Sequence, residues 1–465
     1  MLARMLTHVL RPNFGSYRGI LALAGPLILS QTGVMVMHVI DGILLTRYSS
    51  DAVAAVGPAS MSLWTILSLL GGLAGYCSTF VAQYVGAGRP ERVGAAVWQG
   101  IYIALPSSLI MMAAALPARL FFSSLGHAPA VAEMEITFFR ISCLGAPVFL
   151  LSAALSGFFA GRNDNVVLMA VQLAGTGVNA VLAWAMIFGR LGFPSLGMAG
   201  AAAAAIIANA IMVVCLAVLF LGPAHRRQYG TWADRAIDGP LLGRICRFGF
   251  PSGVRMAAEI MAWTLFVIFV GRVNALSLAA SNIAWRINTL AFFPLMGLGM
   301  AISMLVGQAQ GAGRPDLAER VSRRGLILAE VWELVAAGLF LAIPHTFLRL
   351  FTGSTDPDGP WLIQTGTVLL RFVALYCLMD AGNVILISAL QGAGDTRWTL
   401  IATVLVYGLF LGGLIVIDRL KLGLYALWIM ATAVVMGMAL TWLVRFIGGK
   451  WKSMRVIEPA PADLG

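Results

Sequence analysis

Twelve separate stretches of this 465-residue chain are long and apolar enough to cross a lipid bilayer, a distance that takes ~20 mostly apolar residues. They lie near 19–45, 53–80, 94–117, 135–160, 166–188 and 197–222, then near 249–271, 278–306, 322–345, 363–389, 397–417 and 423–447. Little else is left over. Hydrophobic residues make up 60% of the chain and charged ones only 11%, against roughly 25% charged in a soluble domain. So few charges cannot make a water-facing shell at this length, so the bilayer must act as solvent. The expected fold is an all-α polytopic membrane protein.

The net charge of +11 raises the question of nucleic acid. The positions of the basic residues answer it. With the N-terminus inside, 20 of the 31 Lys and Arg fall on inside segments, eight fall on outside segments, and Arg255, Arg286 and Arg371 lie within spans. That asymmetry follows the positive-inside rule and requires no nucleic acid. Both termini are therefore expected in the cytoplasm of a bacterial inner membrane. Residues 1–18 form a basic N-terminal segment that lacks the apolar core and cleavage pattern of a removable signal peptide. The inside segment 223–248 reads as a linker between a first lobe, 19–222, and a second, 249–447. The tail, 448–465, is polar and Pro-containing and reads as disordered. The five cysteines match no metal spacing and read as small buried hydrophobes.

The two lobes repeat each other. Gln83-Tyr84-Val85-Gly86-Ala87-Gly88-Arg89-Pro90-Glu91 returns 225 residues later as Gln308-Ala309-Gln310-Gly311-Ala312-Gly313-Arg314-Pro315-Asp316. At offsets of 230–231, Arg119-Leu120-Phe121 matches Arg349-Leu350-Phe351, and Arg140 matches Arg371. Gly161 and Asp164 match Gly392 and Asp395 in the same way, and Gly25-Pro26 echoes Gly249-Phe250-Pro251. Four matches in order indicate duplication. Six spans per copy is an even number, so both copies enter the membrane from the same side. The expected lobes are two six-helix units related by a pseudo-twofold along the membrane normal, with a cleft between them.

Ionisable residues deep in a span cost roughly 2.5–3.5 kcal/mol on insertion scales. Asp41, Glu259 and Asp380 are the chief cases. Tyr376 stands one turn before Asp380, on the same helix face. Two carboxylates with a phenolic oxygen offer hard-oxygen ligands for a monovalent cation, and either Na⁺ or H⁺ would discharge such a site. Asp41, in the first lobe, is a separate carboxylate for protons or substrate amines, with Asn179 as its polar partner and Gln31 preceding it on the same span. Pro26 removes a helix hydrogen bond and marks a bend, fixed or moving. His38, one turn from Asp41, reads as structural. Glu330 and Glu333 share one face of the ninth span with no role assigned, and Arg286 is a possible counter-charge. The 22 Met and 24 Phe suit a deformable cleft but mostly serve core and lipid contacts.

Over nearly its whole length the chain resembles the multidrug and toxic compound extrusion (MATE) family. The resemblance is carried by Gly25-Pro26 with Gln31 and Asp41, by Val81 to Pro90, by Leu305 to Pro315, and by Tyr376 to Asp395 with its Gly392-Ala393-Gly394-Asp395-Thr396. It implies twelve helices in two lobes around a V-shaped cleft, and exchange of Na⁺ or H⁺ for organic, often cationic, compounds. It assigns a cation-site role to Glu259, Tyr376 and Asp380, and an N-lobe carboxylate role to Asp41 with Asn179. One branch carries a further Asp four residues after that Asn; here the position is Ala183, so the NorM-like branch fits better.

The function expected is therefore cation-coupled antiport of small organic cations by a monomer in the bilayer, with the ion and no cofactor as the driving partner. Flipping of a lipid-linked precursor is an alternative within transport, but it calls for a basic cleft. A membrane-embedded enzyme would need a nucleophile–base pair, metal motif or phosphate loop, and the sequence has none.

Overall fold

Side-chain caps start several of the long helices. Ser16 accepts from the Gly19 N–H, Asp238 from Leu241 and Asn274 from Ser277, which satisfies backbone donors that a helix start leaves open. In the computed structural model, which describes residues 14–351 and 357–459, the N-terminal lobe begins with α1 (Tyr17–Tyr48), α2 (Ser50–Gly75), α3 (Cys77–Gly86) and α4 (Glu91–Ala113). It continues with the short α5 (Ala118–Ser123), then α6 (Pro129–Leu144), α7 (Ala146–Gly161), α8 (Asn165–Phe188) and α9 (Gly197–Phe220). The second lobe contains α11 (Gly239–Val273), α12 (Ala275–Gly311), α13 (Pro315–Ala342), the short α14 (Pro344–Arg349), α15 (Gly359–Ala393), α16 (Thr396–Arg419) and α17 (Leu424–Ile447). Among the described residues there are eleven spans, or twelve when α6 and α7, bent by 48° at Gly145, are taken as one. Residues 1–13 of the N-terminal segment lie outside the described part.

The segment expected as a linker is partly helical. Pro223–Tyr229 forms the short α10, and α11 begins at Gly239, ten residues before the expected start of the seventh span. The stretch between them is fastened to α4: Trp98 Nε1 donates to the Thr231 carbonyl at 2.8 Å and Gln99 Nε2 to the Ala236 carbonyl at 3.1 Å.

The duplication is visible as a symmetric seam. Gln83 Nε2 donates to the Gly392 carbonyl at 3.1 Å, and its repeat mate Gln308 donates to the Gly161 carbonyl at 2.9 Å. A Cβ on Gly86 would overlap the Gln308 carbonyl, and a Cβ on Gly311 would overlap that of Gln83. Only glycine permits such an approach of two helix backbones. Gly88 and Gly313 take φ of +70° and +71°, so each copy turns through the left-handed region at the same step. Deeper in the bundle, Gly72 meets Gly253, and Gly297 meets Ile28 at the equivalent position of the other pair. Hydrogen bonds along the seam run from the level of Gln31 to the ends marked by Gly86 and Gly311.

The tail corrects the expectation of disorder. Lys450–Ser453 forms a 3₁₀ turn in which Trp451 is fully buried, stacked on Phe446 and donating to the Phe446 carbonyl. The chain then crosses the seam. Val456 N–H donates to Gln83 Oε1 at 2.9 Å, and the Trp451 carbonyl accepts from Gln310. Glu458 accepts from Tyr84 and Arg89 of the first lobe, at 2.8 and 2.7 Å, and pairs with Arg244 of the second at 2.9 Å. Composition alone marked this segment as unfolded because its few apolar anchors are spaced among polar residues. What orders it is long-range contact. Residues 460–465 lie outside the described part.

Candidate functional site

Three helices of the second lobe bring acids together. Asp380, on α15, is 9% exposed and accepts from Asn383 Nδ2 one turn further on, at 3.5 Å. Asn383 is itself fixed, because its Oδ1 accepts from Trp442 Nε1 of α17 at 2.6 Å. Tyr376, one turn before Asp380, is 4% exposed and sits beside Trp285 of α12. Cys377 directs its thiol at Asn288 Oδ1 of α12, 3.8 Å away.

Glu259 departs from the expected three-residue cage. Its Oε2 accepts from Arg255 Nη1 at 2.8 Å, one turn back on α11. The pair gives the carboxylate a cationic partner within its own helix. No hydrogen bond joins it to Asp380 among the described residues, although the two lie within electrostatic reach. Among these residues, moreover, no three of His, Cys, Asp and Glu converge as metal ligands. Arg286, considered as a counter-charge, is exposed and pairs with no carboxylate among the described residues.

Glu333 of α13 had no assigned role in the sequence. The structure places it at 1% exposure against α15, within electrostatic reach of Asp380 and beside Cys377. Neither carboxyl oxygen has a hydrogen-bond partner. Its helix mate Glu330 is half-buried. Arg255 and Asn383 were legible from their i, i+4 and i, i+3 spacing to acids. Glu333 was visible as a buried-span acid, but nothing in the sequence identified what it faces.

In the first lobe, Asn179 of α8 is fully buried and its Nδ2 reaches both oxygens of Asp41, at 3.2 and 3.4 Å. Gln31 does not join them. It donates to Met300 Sδ across the seam at 3.1 Å, and ten helical residues separate it from Asp41 by about 15 Å. Its polar group thus serves lobe contact, a correction to its grouping with Asp41. Pro26 sits inside an α1 that stays helical over 32 residues, just before the Ile28 contact with Gly297. Pro251, its repeat mate, is likewise inside α11. His38 is exposed.

The comparisons with known proteins accord with this architecture. The MatE family profile matches residues 26–185 and 251–412, one block in each lobe. A probable multidrug resistance protein NorM of Bradyrhizobium diazoefficiens is 31% identical over 387 residues, covering 82% of both chains. A second, from Deinococcus radiodurans, is 29% identical and covers 90% of this chain and 92% of the relative. Among solved structures, a MOP superfamily transporter from Pyrococcus furiosus superposes with a TM-score of 0.85 at 22% identity, covering 94% of this chain and 97% of the other. An outward-facing MATE family multidrug resistance transporter superposes at 0.84, covering 93% and 96%. The twelve-span duplicated fold and the profile match in both halves lead to one conclusion: the chain belongs to the MatE family, whose members are membrane transporters and not enzymes.

Proposed function

We propose that the chain is a cation-coupled antiporter that exports small organic, mainly cationic, compounds by alternating access. The observation that carries this reading is the pairing of a closed seam with buried acids inside each lobe. Among the described residues the seam joins the lobes on the side of Gly86 and Gly311, which this reading takes as the cytoplasmic side, and the lobes then part toward the other face. Asp41 and Asp380 sit away from that seam and lack a full cationic partner. A proton or Na⁺ at Asp380 stabilises one lobe arrangement, and its release favours capture of a positively charged solute. The relatives named as multidrug resistance proteins support a substrate of this class. The reading further places 19–222 and 249–447 as the moving lobes of a monomer in the bacterial inner membrane, with both termini cytoplasmic.

The test is efflux of a fluorescent cation from inverted vesicles, with Na⁺ and pH gradients imposed separately. At least one gradient should drive accumulation, and Asp380→Asn should abolish the dependence on that gradient. Equal transport with and without either gradient would sink the reading.

A further inference from the structure

Glu333 combines two features that a spanning helix rarely tolerates together: 1% exposure and two carboxyl oxygens that no N–H or O–H group reaches, with only the weakly donating Cys377 thiol beside them. An ionised carboxylate in that state carries a penalty of several kcal/mol. No compensating cation faces it. On α15 the neighbours are Asp380, Tyr376 and Cys377, while Arg371 points outward. On α12, Trp285 and Asn288 lie against Tyr376 and Cys377 of α15, and Arg286 is exposed. On its own helix the nearest ionisable group is Glu330, another acid, and α14 contributes His345 and Arg349, both exposed. The basic groups α13 does engage, Arg323, Arg324 and Lys452, are at its opposite end, beside the tail and the N-terminal turn. Nor do three His, Cys, Asp or Glu side chains converge there among the described residues.

We propose that Glu333 is a second proton-carrying carboxyl of the C-terminal lobe, paired with Asp380. The inference rests on the antiport reading above and deepens its coupling site. The three acids form a series of decreasing exposure: the Glu259 side chain is 35% exposed, Asp380 is 9% exposed and Glu333 is 1% exposed. Glu259 is paired with Arg255 at 2.8 Å. Asp380 exchanges protons with water in the cleft, and Glu333 holds a proton behind it. When Glu333 gives up its proton and Asp380 takes one up, one carboxyl is ionised as the other is neutralised and the charge of the pair does not change.

Infrared difference spectroscopy on the purified full-length protein in lipid vesicles, titrated with acid, tests the assignment directly. Wild type should show a protonated-carboxyl stretch at neutral pH that Glu333→Gln removes and Glu333→Asp shifts. In the same vesicles, Glu333→Gln should lower proton-driven efflux by about tenfold or more, within the range of measured coupling energies. Glu330→Gln should leave both readouts as in wild type. Persistence of the full band in both Glu333 variants would overturn the proposal, as would loss of the wild-type band on adding Na⁺ at fixed pH. If the band vanishes in Glu333→Gln but wild type shows no gradient-driven efflux, the antiport reading fails while the proton assignment stands. If Asp380→Asn abolishes coupling and Glu333→Gln leaves band and efflux intact, the reverse holds.

Discussion

Asp41 and Glu259 solve the same problem, a carboxylate inside a span, by different means. Asp41 borrows one neutral amide from another helix; Glu259 takes a guanidinium from its own. The difference sets the expected response to substitution. Asn179→Ala removes the only donor seen at Asp41 and leaves a polar group unpaired, a loss of about 1–3 kcal/mol. It should lower the thermal midpoint in detergent and weaken gradient-driven efflux together, whereas Asn179→Asp should weaken efflux through repulsion of a second acid. For the Arg255–Glu259 pair, Arg255→Gln alone should be more destabilising than the double change Arg255→Gln with Glu259→Gln, because the single variant strands a charge. A thermal-shift double-mutant cycle reads this directly, and additive losses would mean that the pair is not coupled.

The two copies differ at the level of elements in where their helices break. The second span of the first lobe is interrupted at Tyr76 and the fourth at Gly145, whereas α12 and α15 run through the equivalent positions without a break. Gly145 is the repeat mate of Tyr376, so Tyr376 and Asp380 occupy an unbroken helix where the N-lobe copy bends. The seam glycines are equally specific. Gly86→Ala should penalise the arrangement seen here by roughly 1–3 kcal/mol, since the methyl group meets a backbone carbonyl. That corresponds to a ~5–150-fold shift toward opening of the seam. Thiol labelling of a cysteine placed near Gln308 reports it, and unchanged labelling would show that the backbones part without strain. The tail adds a pH dependence. Burial opposes the charge of Glu458, but its backbone hydrogen bond, Tyr84, Arg89 and Arg244 overcome this and hold its carboxyl below the ordinary glutamate range. Its contribution to closure is therefore full above ~4.3 and is lost as pH falls through the lowered value. Labelling at the seam should rise on such acidification in wild type, and Glu458→Gln should label at the higher level throughout.

For the whole molecule, the long apolar runs and the repeated Gln-x-x-Gly-x-Gly-Arg-Pro signal carried the architecture into plain view. Span length and backbone close approach are written locally, in hydropathy and in glycine. The positions of Asp41, Asn179, Asp380 and Tyr376 were legible for the same reason, since a polar residue stands out in an apolar run. Contacts between distant segments were not legible. The capture of the tail by Gln83, the diversion of Gln31 to Met300 and the solitude of Glu333 depend on which helix faces which, and the periodicity of one helix does not encode its neighbour. The Arg255–Glu259 pair is a different case, because its spacing was readable and only its energetic meaning was missed.

The strap of residues 450–459 brings one acid to a rim that is otherwise basic. Arg89 of the first lobe and Arg244 of the second both reach Glu458, whereas Arg92 has Asp238 as a further partner. Like charges from the two lobes repel, so without Glu458 the rim would push itself apart. A single carboxylate from outside both lobes thus turns a repulsive rim into a clasp.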